Sequence, residues 1–215
     1  MKTIRNYSLL DKVCMGLDAA VRAVADNAKT TDRHYPAKDT KESKMSEADK
    51  KHSAGLMRIN HAGEICAQAL YHGQGFATKT ESIKYKMQQS AIEEGDHLAW
   101  CKKRLTELGS HTSYLAPLWY AGSFSIGFTA GMIGDKWSLG FLAETENQVV
   151  KHLEKHINVL KTKDAKSLDI LEQMQKDEAE HRDEAIKAGA NKLPEPVQKL
   201  MALTSKVMVK TAYWV

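Results

Sequence analysis

The chain has 215 residues, of which 42% are hydrophobic, and this length and composition suffice for the core of one compact domain. Its 31 Lys and Arg residues are scattered among 27 Asp and Glu residues, and the net charge of only +4 argues against a nucleic-acid-binding protein. Its three cysteines, Cys14, Cys66 and Cys101, lack a Cys-x-x-Cys spacing, so neither a disulfide framework nor a thiolate zinc site is indicated.

The N-terminal part is predicted to contain one amphipathic helix followed by a linker. Residues 1–10 include only a very short apolar run, which is not a secretory signal, so the protein is expected on the cytoplasmic side. Apolar residues recur at helical spacing over residues 8–27, which predicts a packing or docking helix. Residues 29–44 are polar and lack periodicity, which predicts a loop or linker.

Four longer helices are predicted next, and the short alternating runs typical of strands are missing. Their expected ranges are 47–76, 82–108, 137–161 and 165–188. Ser46 followed by Asp49 is typical of a helix start and supports the first of these boundaries. The predicted fold class is therefore all-α.

An uncharged segment separates the second and third of these helices. Residues 108–134 contain no Asp, Glu, Lys or Arg and are about long enough to span a bilayer. Pro117 and several glycines dilute the segment, among them Gly122, Gly127, Gly131 and Gly134. A helix or hairpin in the membrane interface is the favoured interpretation, and a soluble core segment between bundle halves or a true span are the alternatives.

The C-terminal residues predict a last amphipathic helix. Apolar residues recur at helical spacing after Pro196, and the chain ends in Tyr213, Trp214 and Val215, an aromatic end that suits an interface. We therefore expect one domain over residues 1–215. Within it, residues 1–50 form the N-terminal helix and polar linker, and residues 108–134 form the membrane-interface segment.

Glutamates occupy positions on the helices where core residues belong. The clearest cases are Glu94, Glu146 and Glu178. Glu144 could replace Glu146, which is preferred because it shares an apolar stripe with Leu142 and Val149. Ionised carboxylates buried without partners are costly and repel one another, so a cation is expected between them.

Two histidines complete this pattern. Of the nine histidines, only His97 and His181 have a Glu three residues earlier. Glu64 lies 30 residues before Glu94, and Glu146 lies 32 before Glu178, so each half supplies a Glu helix followed by a Glu-x-x-His helix. This is the ligand arrangement of ferritin-like four-helix bundles, and its donor types suit iron or manganese, of which iron is the favoured candidate. The predicted ligands of two iron ions are Glu64, Glu94, His97, Glu146, Glu178 and His181.

Several neighbouring residues have more than one interpretation. One or two of the flanking acids are expected to orient a ligating imidazole through its free N–H. The candidates are Glu93, Asp96, Asp177, Glu180, Asp183 and Glu184. His61 and His152 either lie beside the metal site or are ordinary helix histidines. Gly63 either leaves an open channel to the metals or allows close helix packing.

Four short segments resemble the demethoxyubiquinone hydroxylase family of ubiquinone biosynthesis. They are Asn-His-Ala-Gly-Glu at 60–64, Glu-Glu-Gly-Asp-His at 93–97, Glu-Thr-Glu at 144–146 and Asp-Glu-Ala-Glu-His at 177–181. The resemblance covers nearly the whole chain from Ser53 onward. It implies a di-iron monooxygenase that uses O2 to hydroxylate the ring of a polyprenyl demethoxyubiquinol. It also implies a peripheral position on the cytoplasmic side of the cell membrane, where the lipid-soluble quinol is found.

Other functions remain open on the sequence. A membrane-associated di-iron quinol oxidase, a ferritin-like iron-binding protein and a metal-free membrane-binding module are the alternatives. No Gly-x-Gly-x-x-Gly fingerprint is present, so a Rossmann-type NADH site is not expected. The electron donor therefore stays undecided between quinol, NADH and a redox protein, and oligomers or other ubiquinone-biosynthesis proteins are conceivable partners.

Overall fold

The computed structural model describes residues 7–215, and these residues form seven helices and no strand, which confirms the all-α prediction. The helices are α1 Leu9–Val24, α2 Glu47–Ala77, α3 Glu81–Glu107, α4 Ala116–Ile133, α5 Asp135–Leu160, α6 Ala165–Lys187 and α7 Glu195–Ala212. Each helix predicted from periodicity overlaps one of them. The prediction that residues 1–10 are not a secretory signal falls largely on residues 1–6, which lie outside the described residues.

Helices α2, α3, α5 and α6 form the four-helix bundle. α2 packs on α3 and α5 packs on α6, and contacts of α3 with α6 and of α2 with α5 join the two pairs. Local sequence explains where two of the helices begin, because the side chain of Ser46 caps the N-terminus of α2 and that of Asp164 caps α6. Side chains such as Trp100, Leu153 and Met174 fill the space between the helices. The buried face of each helix therefore matches its apolar stripe.

The uncharged segment forms a single helix, α4, that packs lengthwise along α2. The hairpin alternative is therefore wrong. One side of α4 is buried at Tyr120, Gly127 and Ala130, as the core interpretation required. Its other side exposes large apolar side chains: Leu118, Ile126, Met132 and Ile133. Among the helices described for residues 7–215, none combines the length and apolarity needed to cross a membrane.

The polar linker between α1 and α2 has no helix, as predicted, but it is fixed to the bundle. Arg104 of α3 is fully buried and holds both carboxylate oxygens of Glu42 at 2.8 Å. The same guanidinium contacts Asp164 at 2.7 Å, at the start of α6. A bidentate pair of this kind fixes orientation as well as distance. The linker is therefore tied to the end of the bundle formed by α3 and α6.

Candidate metal centre

The structure brings all six predicted site residues into the middle of the four-helix bundle. α2 supplies Glu64, α3 supplies Glu94 and His97, α5 supplies Glu146, and α6 supplies Glu178 and His181. All six are buried, with exposures between 0% and 7%. Each comes from the apolar stripe of its helix, so packing of the stripes is what makes these polar groups converge.

His97 marks one half of the site. Its Nδ1 atom lies 2.9 Å from Glu94 Oε2, 3.1 Å from Glu178 Oε1 and 3.5 Å from Glu64 Oε2. Donor atoms of these four residues all lie within 4.8 Å of one another. That spacing allows a single cation to contact the whole group.

His181 marks the other half. Its Nδ1 atom lies 3.2 Å from Glu94 Oε1 and 3.7 Å from Glu178 Oε2. The carboxyl of Glu146 lies close enough to Glu178 and His181 for their charges to shift its pKa. Glu94 and Glu178 therefore contact both imidazoles, as carboxylates shared between two metal ions would.

Several buried atoms of the cluster have no hydrogen-bond partner. They are Glu64 Oε2, Glu94 Oε1, Glu146 Oε2, both carboxylate oxygens of Glu178, and His181 Nδ1. Buried acceptors without donors carry a desolvation cost that a bound cation would remove. The residues therefore fit a metal centre, and hard oxygen and imidazole donors without thiolates suit iron.

Without metal, the carboxyls of the cluster ionise unequally. Burial raises the pKa of Glu64 and of Glu146 well above the usual range, and the charges of Glu178 and Glu94 raise both further. Burial also opposes ionisation of Glu94, but the charges of His97 and His181 and the hydrogen bond with His97 outweigh it, and the pKa of Glu94 falls. Metal binding would then displace protons from part of the cluster.

The outward nitrogen of each imidazole is held by a neighbouring acid. His97 Nε2 donates to Asp177 Oδ2 at 2.9 Å, and His181 Nε2 donates to Glu93 Oε2 at 2.6 Å. Each bond leaves the inner nitrogen, Nδ1, facing the carboxylates. Of the flanking acids, Asp177 and Glu93 are therefore the two that hold an imidazole, and the binding of metal by these imidazoles stays a prediction.

The structure also decides between interpretations of other residues. Glu144 is only partly buried and accepts a hydrogen bond from Gln148, so it is not part of the cluster. His61 lies 2.8 Å from Asp26, in the loop after α1, and His152 packs against His156. A Cβ atom on Gly63 would meet no atom within 4 Å, so close helix packing is not the reason for this glycine.

Tyr71 is a site residue that sequence reasoning missed. Its ring is 1% exposed, and its hydroxyl donates to Glu146 Oε1 at 3.0 Å. It lies two helical turns beyond Glu64 on α2, so a buried hydroxyl on the same stripe was the available signal. The hydroxyl leaves one oxygen of Glu146 free to face the cluster.

Replacing Tyr71 with Phe is expected to weaken metal binding about 10- to 100-fold, the usual effect of losing a group that orients a ligand. The fold should persist, because the ring and its packing remain. Cobalt(II) titration followed by visible absorption measures the affinity. Tyr120→Phe is the matched control, since the Tyr120 hydroxyl is also buried but contacts His72 rather than the cluster. Equal affinities for the two variants would contradict a role for Tyr71 in holding Glu146.

Comparison with known proteins finds relatives that match nearly the whole chain. The sequence model of the family described as ubiquinone biosynthesis protein COQ7 matches residues 51–212. A 3-demethoxyubiquinol 3-hydroxylase of Nitrosococcus oceani is 51% identical over 98% of this chain and 99% of the relative. Proteins with the same name from Acinetobacter baumannii and Polynucleobacter necessarius are each 50% identical, over 98% and 96% of this chain and 100% and 99% of their own lengths.

Proposed function

Because the chain belongs to the ubiquinone biosynthesis protein COQ7 family, we propose that it is a di-iron 3-demethoxyubiquinol 3-hydroxylase. It hydroxylates the ring of a polyprenyl demethoxyubiquinol, with O2 as co-substrate. The observation that carries the proposal is the buried cluster of four carboxylates and two imidazoles, in which five of the six residues have an atom without a hydrogen-bond partner. This arrangement matches the ligand set of di-iron bundles, with one Glu from each of two helices and a Glu-x-x-His from each of the others.

Six side chains would hold the two iron ions: Glu64, Glu94, His97, Glu146, Glu178 and His181. When bound, a ferrous pair supplies the electrons that activate dioxygen for hydroxylation. Glu94 and Glu178 lie between the imidazoles and can contact both positions. Tyr71 holds Glu146 in place, and burial of the whole cluster excludes bulk water from the reacting groups.

A membrane surface is the proposed location of the protein, as a peripheral protein of the cell membrane. Three helices expose rows of apolar side chains that suit a membrane interface. These are Leu9, Leu10, Leu17 and Val21 on α1, Leu118, Ile126, Met132 and Ile133 on α4, and Leu200, Leu203 and Val207 on α7. A polyprenyl quinol partitions into the bilayer, so this position would bring enzyme and substrate together.

Metal removal and reconstitution test the proposed function. Protein purified in detergent is stripped with a chelator, and one half is reloaded anaerobically with Fe(II). Both halves then receive a demethoxyubiquinol analogue, a reductant and O2, and the product is followed by mass. We expect about two irons per chain and the gain of one oxygen atom in the reloaded sample only.

Other outcomes of this experiment separate the alternatives. Oxygen consumption with oxidation of the quinol to the quinone, but no gain of oxygen, would indicate a quinol oxidase. Retained iron with neither reaction would indicate iron storage. If the reduced protein takes up no iron at all, the di-iron assignment is wrong.

A further inference from the structure

A segment between α1 and α2 crosses the outer side of α3 beside His97. Gly95 makes room for it, because a Cβ atom there would lie 1.8 Å from the backbone oxygen of Lys29. Both the amide and the hydroxyl of Thr31 then donate to the carboxylate of Asp96, the amide at 3.1 Å. The crossing segment is therefore attached to α3 at the two residues that precede His97.

Arg33 ends this crossing segment and contacts the acid that holds His97. Its Nη1 atom lies 2.9 Å from Asp177 Oδ2, and its Nε atom donates to Asp96 Oδ2 at 3.1 Å. Its guanidinium lies over the ring of Trp100, 4.8 Å from the centroid. Asp177 Oδ2 is also the atom that accepts the hydrogen bond from His97 Nε2. One carboxylate oxygen is therefore shared between an arginine and an imidazole.

His181 has no such arrangement on its outward side. Its Nε2 atom donates to Glu93, whose side chain is 42% exposed. Within residues 7–215, Glu93 forms no ion pair with an Arg or Lys side chain. The two imidazoles thus differ in the groups behind them, because a guanidinium shared by two carboxylates lies behind His97 and an exposed carboxylate without a cation among the described residues lies behind His181.

This difference has a direct electrostatic consequence. A carboxylate that accepts the outward N–H of an imidazole makes the inner nitrogen a stronger metal ligand. A guanidinium paired with the same carboxylate offsets part of its negative charge and so weakens that effect, and the positive charge of Arg33 itself lies beside the imidazole, with Nη2 3.4 Å from His97 Nε2. The exposed carboxylate of Glu93 has no such cation in the described part of the chain, so its negative charge acts on His181 and is reduced only by solvent screening.

We infer that Arg33 is a positioning residue that acts through Asp177 on His97 and makes the two metal positions of the proposed di-iron centre unequal. The metal beside His97 binds more weakly than the metal beside His181. Arg33 lies outside residues 51–212, the range that matches the family model, so the family match does not bear on it. The inference rests on the proposed di-iron function, because it requires two metal ions in the bundle.

Stepwise titration with cobalt(II), followed by visible absorption, tests this inference. Wild-type protein is expected to bind two ions in two separate steps. Arg33→Gln removes the charge but keeps an amide donor, and it should tighten the weaker step about 10- to 100-fold and bring the two steps together. Arg33→Lys keeps the charge and should keep the steps apart.

Glu93→Gln is the matched variant on the other imidazole, and it should weaken the tighter step instead. If Arg33 has only a structural role, Arg33→Gln should weaken both binding steps together, and Arg33→Lys should not restore them. This result would overturn the inference. Unchanged steps in Arg33→Gln would overturn it as well. If the wild-type protein binds no metal, the proposed function itself is wrong. If the wild type binds two ions and Arg33→Gln leaves both binding steps unchanged, only the role of Arg33 is wrong.

Discussion

Replacing Glu146 with Gln is expected to abolish hydroxylation and, in the same protein, to raise the stability of the metal-free fold. Glu146 is 1% exposed, and one of its oxygens has no hydrogen-bond partner. Glutamine has the same shape and can still accept the Tyr71 hydroxyl, but it cannot supply a negative charge to the metals. Metal affinity should fall by more than the roughly 10- to 100-fold lost when only an outer partner is removed.

The stability gain follows from the pKa of Glu146. Burial raises this pKa in the folded protein, and the charges of Glu178 and Glu94 add to the effect. Between about pH 4.3 and the raised pKa of the folded protein, the unfolded chain loses its proton while the folded chain retains it, so Glu146 lowers the stability of the wild type by at most roughly 1.4 kcal/mol per pH unit. Glutamine does not titrate. The advantage of the variant should therefore be absent near pH 4 and should grow towards neutral pH.

Urea unfolding of the chelator-treated proteins at several pH values measures this difference, and iron content and product mass measure the loss of function. Glu144→Gln is the matched control, because Glu144 lies two residues away on the same helix and is only partly buried. Glu144→Gln should change neither the stability of the metal-free protein nor its function. A Glu146→Gln protein that retains two irons would contradict the assignment of Glu146 as a ligand.

Replacing Gly127 with Ala is expected to destabilise the protein severely, whereas Gly122→Ala, five residues earlier on the same helix, should be neutral or stabilising. A Cβ atom on Gly127 would lie 2.4 Å from the backbone oxygen of Leu70. A Cβ atom on Gly73 would likewise lie 2.3 Å from the backbone oxygen of Phe124. The backbones of α2 and α4 are thus in direct contact along this part of their interface. Backbone atoms cannot change rotamer to make room, as a flexible side chain can.

The expected loss for Gly127→Ala is more than about 3 kcal/mol, since the two helices must separate and give up packing along their length. At Gly122 a Cβ atom would meet nothing within 4 Å, so alanine should add about 0.5–1 kcal/mol through its helix propensity. Urea unfolding measures both effects. Because α2 also carries Glu64, iron binding should weaken in Gly127→Ala as well. Similar stabilities for the two variants would show that α4 does not pack on α2 in this way.

The sequence by itself determined the helices and the six residues that converge between them. Helical periodicity is a local property, so the ranges of α2, α3, α5 and α6 follow from spacing within each segment. Glu94 and Glu178 interrupt apolar stripes, and a helix bundle brings such stripes together. The expectation of a cation between buried carboxylates rests on their electrostatic repulsion.

Only the tertiary structure decided which distant groups support this cluster and where the uncharged segment lies. Tyr71 meets Glu146 across two helices, and Arg33 meets Asp177 from a linker that has no periodic pattern. Gly122 and Gly127 look alike in the sequence, yet one faces open space and the other a backbone. Such contacts join residues far apart in the chain, and their geometry depends on how whole helices pack, which no local pattern of residues encodes.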